Sequence, residues 1–143
     1  MPVIETSRVI KAPRAKVWAV FTDPENQLKW DPEGVKSVKV LERKGNTVSL
    51  EGRHIMGGRE VTLTHKYTLY PTERIEEILE GPAVSRGGFQ FEEVPEGTKM
   101  TLSYDISFKG VIGRIIGRVL VGPKLGEYAD QILESLANYI EAQ

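Results

Sequence analysis

Between Val35 and Phe108 apolar and polar residues mostly alternate with a period of two, and near the end of the chain they change to a helical period. From Leu125, apolar residues recur at Tyr128, Ala129, Ile132, Leu133, Leu136 and Ile140, the i, i+3, i+4, i+7 rhythm of an amphipathic helix. Lys124, Glu127, Asp130, Gln131, Glu134, Ser135 and Asn138 occupy its other side. Such a stripe needs a broad apolar receiver. The alternating segments supply one as an antiparallel sheet.

Before the sheet, Val3 to Lys11 reads as a strand whose apolar residues fall on both parities, so its inner face stays open. Ala12-Pro13 opens a helix with Val17, Trp18 and Phe21 on its apolar side. Asp23 then caps a second short helix, with Pro24 at its first position and Leu28 and Trp30 pinning it down. Asp31-Pro32-Glu33-Gly34 turns the chain into a strand from Val35 to Glu42. Arg43-Lys44-Gly45 reads as a three-residue hairpin loop with glycine in the left-handed position.

Two hairpins can be tested for register. A two-residue Gly57-Gly58 turn pairs Met56 with Arg59, His54 with Val61, Leu50 with His65 and Val48 with Tyr67. Apolar positions then share one face, whereas a three-residue loop would split them. Likewise a two-residue Glu96-Gly97 turn pairs Phe91 with Leu102 and Phe89 with Tyr104. Between these hairpins Arg74 to Glu80 forms a further strand. The expected fold is α+β: a curved antiparallel sheet of about six or seven strands around a long C-terminal helix, with two short helices after the first strand. A sheet wrapped round one helix leaves room for a cavity at its wide end.

Composition narrows the function. The chain has 143 residues, fitting one domain over 1–143, and a chain of that size hides about 68–70% of its unfolded surface. A net charge of −1 gives no general attraction to nucleic acid. With no cysteine there is no disulfide and no thiolate metal site. The start lacks a secretory signal pattern and no window reaches the length of a membrane span, so a soluble cytoplasmic protein is expected.

The residues also carry a family likeness. The run Ile10-Lys11-Ala12-Pro13-Arg14-Ala15-Lys16-Val17-Trp18, then Thr22-Asp23-Pro24-Glu25 and Trp30-Asp31-Pro32, resembles the N-terminal signature of the START-like (SRPBCC, Bet v 1-like) superfamily. The nearest branch is that of polyketide cyclases/dehydrases and lipid transport. Tyr70-Pro71, Gly88-Phe89-Gln90-Phe91 and the segment Gly110 to Pro123 agree with it. The resemblance implies a helix-grip fold with an apolar pocket between sheet and C-terminal helix. It implies ligands such as lipids, isoprenoids, quinones or polyketides, and in some members ring closure or dehydration. It carries over no catalytic residue.

His54 and His65, the two histidines, fall on the inner face, where imidazole can act as acid, base or hydrogen-bonding group. In the register above they stand four residues apart along the ladder, ~13 Å, which argues against a shared metal. With no cysteine or metalloprotease spacing, neither metal nor organic cofactor is expected. Arg59 is a third catalytic candidate, able to hold a carboxylate or enolate from a cavity mouth. A buried carboxylate from Glu76, Glu77 or Glu80 would have a raised pKa. The turn before them leaves open whether Glu77, or Glu76 with Glu80, faces inward.

Tyr67, Phe89 and Tyr104 complete the expected lining, with Ile116, Leu120 and Tyr128 from the C-terminal region. Phe91, by contrast, reads as core. The segment from Val111 to Val121 combines an apolar stripe with Arg114 and Arg118, which suits a lid or a peripheral membrane contact. Gly122-Pro123 should break or kink the helix behind it. The primary expectation is a binder or carrier of an apolar small molecule. An enzyme of cyclase or dehydratase type using His54 or His65 is the alternative, and an interaction domain with a closed pocket is the third. Ligand identity and oligomeric state are not legible.

Overall fold

The computed structural model describes residues 3–56, 59–81, 83–108 and 122–143. Strand β1 (Val3–Ile10) is followed by helices α1 (Arg14–Thr22) and α2 (Pro24–Trp30). Six strands come next: β2 (Val35–Lys44), β3 (Thr47–Met56), β4 (Arg59–Tyr70), β5 (Arg74–Glu80), β6 (Ala83–Val94) and β7 (Gly97–Phe108). Helix α3 (Gly122–Glu141) ends the chain. The seven strands form one antiparallel sheet in the order β1-β7-β6-β5-β4-β3-β2. The α+β helix-grip architecture follows from that order.

Local chemistry sets the joints. Pro13 stands just before α1, one position earlier than a first-turn proline. The Asp23 carboxylate accepts a hydrogen bond from the Glu25 amide at 3.0 Å, with Pro24 next to it, so α2 begins on a side-chain cap. The β3–β4 register agrees with the sequence reading at all four pairs, from Met56 with Arg59 to Val48 with Tyr67.

Two hairpins differ from expectation. The β2–β3 loop is Gly45-Asn46, with Lys44 paired to Thr47, rather than Arg43 to Gly45. Gly45 does take the left-handed backbone, φ 59°, at the first turn position of a two-residue hairpin. The β6–β7 turn is Pro95-Glu96, so Phe91 pairs with Met100 and Phe89 with Leu102. Proline fixes φ at the first central position of a turn. Gly97 is left in the strand, where a Cβ would lie 2.3 Å from the Ile10 carbonyl oxygen. The slip is two residues, so each side chain keeps its face.

The core gathers the inner faces of β1, β5, β6 and β7 with α1, α2 and α3. Ile10, Val17, Met100, Leu102, Leu133, Leu136 and Ile140 are almost wholly buried. Phe91 is core as expected, edge-on to Trp18 at 5.2 Å between ring centres. Helix α3 lies over β1 and touches α2 and α1. Thr6 Oγ1 donates to the Asp130 carboxylate, and the Lys11 amide donates to Glu141 at 3.3 Å, which fix the helix along β1. Gly122 and Pro123 form the first turn of α3, where a proline is tolerated. The segment Val111–Val121, and with it the expected lid, Ile116 and Leu120, lies outside the described residues.

Candidate functional site

The inner face of β3, β4, β5 and β7 carries a buried cluster of polar side chains. His54, His65 and Glu77 are each less than a tenth exposed. Their order follows the ladder. Tyr67 of β4 pairs with Glu77 of β5, Glu77 with Gly87 of β6, and Gly87 with Tyr104 of β7. Tyr67, Glu77 and Tyr104 therefore lie in one row across the sheet, and alternation puts all three on the same face. This register decides the open question on β5: Glu77 is inside, while Glu76 and Glu80 are exposed.

Gly87 leaves a gap in that row. Across it the Tyr104 hydroxyl donates to Glu77 Oε1. His65, one step along β4, donates from Nδ1 to Glu77 Oε2 at 2.5 Å. The Tyr67 hydroxyl stands 3.1 Å from the same Nδ1 and also donates to Glu77. On the far side, His65 Nε2 lies 2.9 Å from His54 Nε2.

That last contact overturns the expected separation of about 13 Å between the two histidines. Their backbones keep the register, His54 opposite Val61 and His65 opposite Leu50. Their side chains lean toward each other over Gly52, until the ring centres are 5.0 Å apart. A Cβ at Gly52 would meet His54 Nε2 at 2.4 Å and His65 Nε2 at 3.2 Å. Spacing along a strand measures Cβ positions, and imidazoles bridge the difference where the residue between them has no side chain. Among the described residues, no three histidine or carboxylate side chains converge as a metal site would require.

Charge in the cluster has definite directions. Burial raises the pKa of Glu77, but the His65 charge and hydrogen bonds from His65, Tyr104 and Tyr67 outweigh it, so the carboxyl is held below its usual range. Burial chiefly, and then His65, push His54 down to about 4, against a smaller opposing pull from Glu77. Burial and the neighbouring carboxylate push both tyrosine hydroxyls well up. At neutral pH the cluster thus holds an anionic Glu77, a neutral His54 and two neutral phenols.

Other expected residues fare differently. Phe89 is buried against Phe21, 4.5 Å between ring centres, and edge-on to Tyr104 at 5.8 Å, so it supports the site from the core. Arg59 pairs with Met56 through the backbone, and its side chain, like that of Tyr128, lies outside the described residues. A small cavity of about 40 Å³ adjoins the cluster, lined by Phe21, Trp30, Leu50, Tyr67, Leu69 and Ile75. A larger cleft of about 500 Å³ opens between α3 and the turn after α2, beside Asp31, Gly34, Ile55, Gln131, Glu134 and Ser135. Ile55 and Gly34 are the chain neighbours of His54 and of its ladder partner Val35.

Residues 1–141 match the family described as polyketide cyclase / dehydrase and lipid transport. The chain belongs to that family. Among solved structures, this family member is similar to TTHA0849 from Thermus thermophilus, with 23% identity, coverage of 99% of this chain and 98% of that one, and a TM-score of 0.86. It is also similar to the ZhuI aromatase/cyclase from Streptomyces sp. R1128, at 20% identity, 98% and 86% coverage and a TM-score of 0.70. A START superfamily protein from Mycobacterium smegmatis aligns at 20% identity, with 98% and 94% coverage and a TM-score of 0.72. At these identities the likeness establishes the START-like, Bet v 1-like fold. A comparison with curated proteins finds no match. Among the described residues no helix is long and apolar enough to cross a membrane.

Proposed function

We propose that this polyketide cyclase/dehydrase family member binds an apolar small molecule carrying an oxygen function. The observation behind this reading is the cleft of about 500 Å³ beside α3, which falls within the size range of small-molecule sites. The cleft passes the backbone neighbours of His54, the outer end of the polar cluster. The lining mixes Pro32, Ile55 and Ile132 with the polar Asp31, Glu33, Gln131, Glu134, Ser135 and Asn138, which suits a ligand that has polar groups as well as an apolar body. The size of the cleft favours this reading over an interaction domain with a closed pocket.

A second reading, acid–base catalysis of a cyclase or dehydratase type through His54 or His65, is favoured by one observation. A carboxylate orients one imidazole, which contacts a second, the order found where a base is positioned from behind. Binding comes first in either reading. Native mass spectrometry of the purified protein, followed by organic extraction, is expected to release an apolar small molecule. If nothing co-purifies and 1-anilinonaphthalene-8-sulfonate fails to bind, the pocket reading is wrong.

A further inference from the structure

Among the described residues, the buried side-chain atom that lacks a hydrogen-bond partner is the indole nitrogen of Trp30. Trp30 is the last residue of α2 and only 4% exposed, stacked on Phe21 with 6.0 Å between ring centres. An indole N–H donates and cannot accept. Buried donors in native proteins nearly always find a partner, in the protein or in an ordered water.

The surroundings limit what that partner can be. Trp30 lines the cavity of about 40 Å³, whose other walls are mostly apolar: Phe21, Val48, Leu50, Leu69 and Ile75. Thr22, at the end of α1, and Gln27, on α2, supply polar groups to the same cavity. Residues three apart on a helix share a face, which puts Gln27 beside Trp30. Thr22 gives its hydroxyl proton to the Trp18 carbonyl at 2.7 Å, so its oxygen still has a lone pair to offer. Tyr67 also lines the cavity, but its hydroxyl is engaged with Glu77. A buried water needs roughly 10–15 Å³ and two to four polar partners, and the cavity meets both conditions. It is far below the ~300 Å³ at which small-molecule pockets begin.

We propose that this cavity is a hydration site, in which an ordered water accepts the Trp30 indole N–H and donates to the side-chain oxygens of Thr22 and Gln27. Water fits where other occupants do not. An anion would enter a cavity in which no lining residue is Lys, Arg or His, with nothing to balance its charge. An apolar occupant would leave the indole donor unpaired. The water ties the last turn of α2 to the end of α1, where dry packing leaves a gap. This cavity and the cleft beside α3 have no lining residue in common, so the hydration site and the proposed ligand site stand or fall separately.

The experiment is NMR on the isotope-labelled, ligand-free full chain. Its two tryptophans give two indole N–H signals, and Trp30→Phe identifies one of them by its loss. Should that variant not fold, Trp18→Phe assigns the same signal as the one that remains. In the wild-type protein the Trp30 indole proton is expected to show a nuclear Overhauser effect to water, with the sign of a water that tumbles with the protein. The effect should not change with pH, whereas chemical exchange with solvent would. Xenon, which enters dry apolar cavities, should leave the methyl signals of Val48, Leu50 and Leu69 where they are. An indole proton without transfer from water, or xenon-induced shifts at those methyls, would show a dry cavity and overturn the proposal. Binding of 1-anilinonaphthalene-8-sulfonate tests the ligand reading alone and has no bearing on this result.

Discussion

Gly52 contributes no side chain, and the site depends on that absence. A methyl group there would sit 2.4 Å from His54 Nε2, inside the space that the two imidazoles use to meet. Gly52→Ala should part the histidines and cost about 1–3 kcal/mol, as overpacking in a tight interior does. Urea titration and the imidazole NMR signals would check it, and unchanged stability with unchanged signals would refute the role given to Gly52. Residue by residue, His54, His65, Tyr67 and Tyr104 were legible because inward parity and polar chemistry coincide at all four. Glu77 was not. Its parity depends on the turn Pro71-Thr72-Glu73, where Thr72 takes the left-handed backbone at φ 62°. Sequence rules place glycine or asparagine in such a position, and a threonine there gives no sign of the turn's length. The two gaps, Gly52 and Gly87, were equally silent, since a glycine within a strand announces close approach without naming the partner.

Among the elements, legibility tracks how much each hairpin constrains itself. The Gly57-Gly58 hairpin allowed only one register that kept the apolar faces together, and β3 and β4 take it. The β6–β7 hairpin allowed two registers of the same parity, and alternation cannot choose between them. Proline in the turn and the seat of Gly97 against β1 select the shorter strand end. Helix α3 shows a similar division. Its stripe foretold the buried Ala129, Leu133, Leu136 and Ile140, but not that the helix would settle along β1. That placement depends on Thr6 with Asp130 and Lys11 with Glu141, pairs more than a hundred residues apart in sequence.

For the molecule as a whole, the cluster links stability to acidity. The unfolded chain takes up a proton on His54 near 6.5, whereas the folded one resists until about 4. Between those values unfolding is coupled to proton uptake, so stability falls as pH falls, by on the order of 3 kcal/mol in total. Glu77, held low, adds a loss of the same sign at still lower pH, as the folded carboxylate is finally protonated. Half-buried Asp31, pushed up by burial, opposes them weakly. Tyr67 and Tyr104 act at the other limit, where the unfolded phenols ionise above about 10 and the folded ones resist. A stability plateau is therefore expected between roughly pH 6.5 and 10, with an acid slope that His54→Gln flattens. Urea midpoints measured across pH would show it. An acid slope identical in the variant would mean that His54 is not held neutral.

The order of strands also bears on how the protein folds. Each residue of the polar cluster belongs to the run β3 to β7, in which every neighbour in the sheet is also the next strand in the chain. Such contacts need only short loops to close. Strand β1 is different: it pairs Val3 with Asp105 and can do so only after the intervening chain has been brought round. The meander should therefore assemble first, cluster included, and the first strand should dock late together with the last helix. Native-state hydrogen exchange is expected to find β1 amides opening at lower free energy than those of β4 and β5. Equal protection throughout would place the closing of the sheet in the same step as its formation.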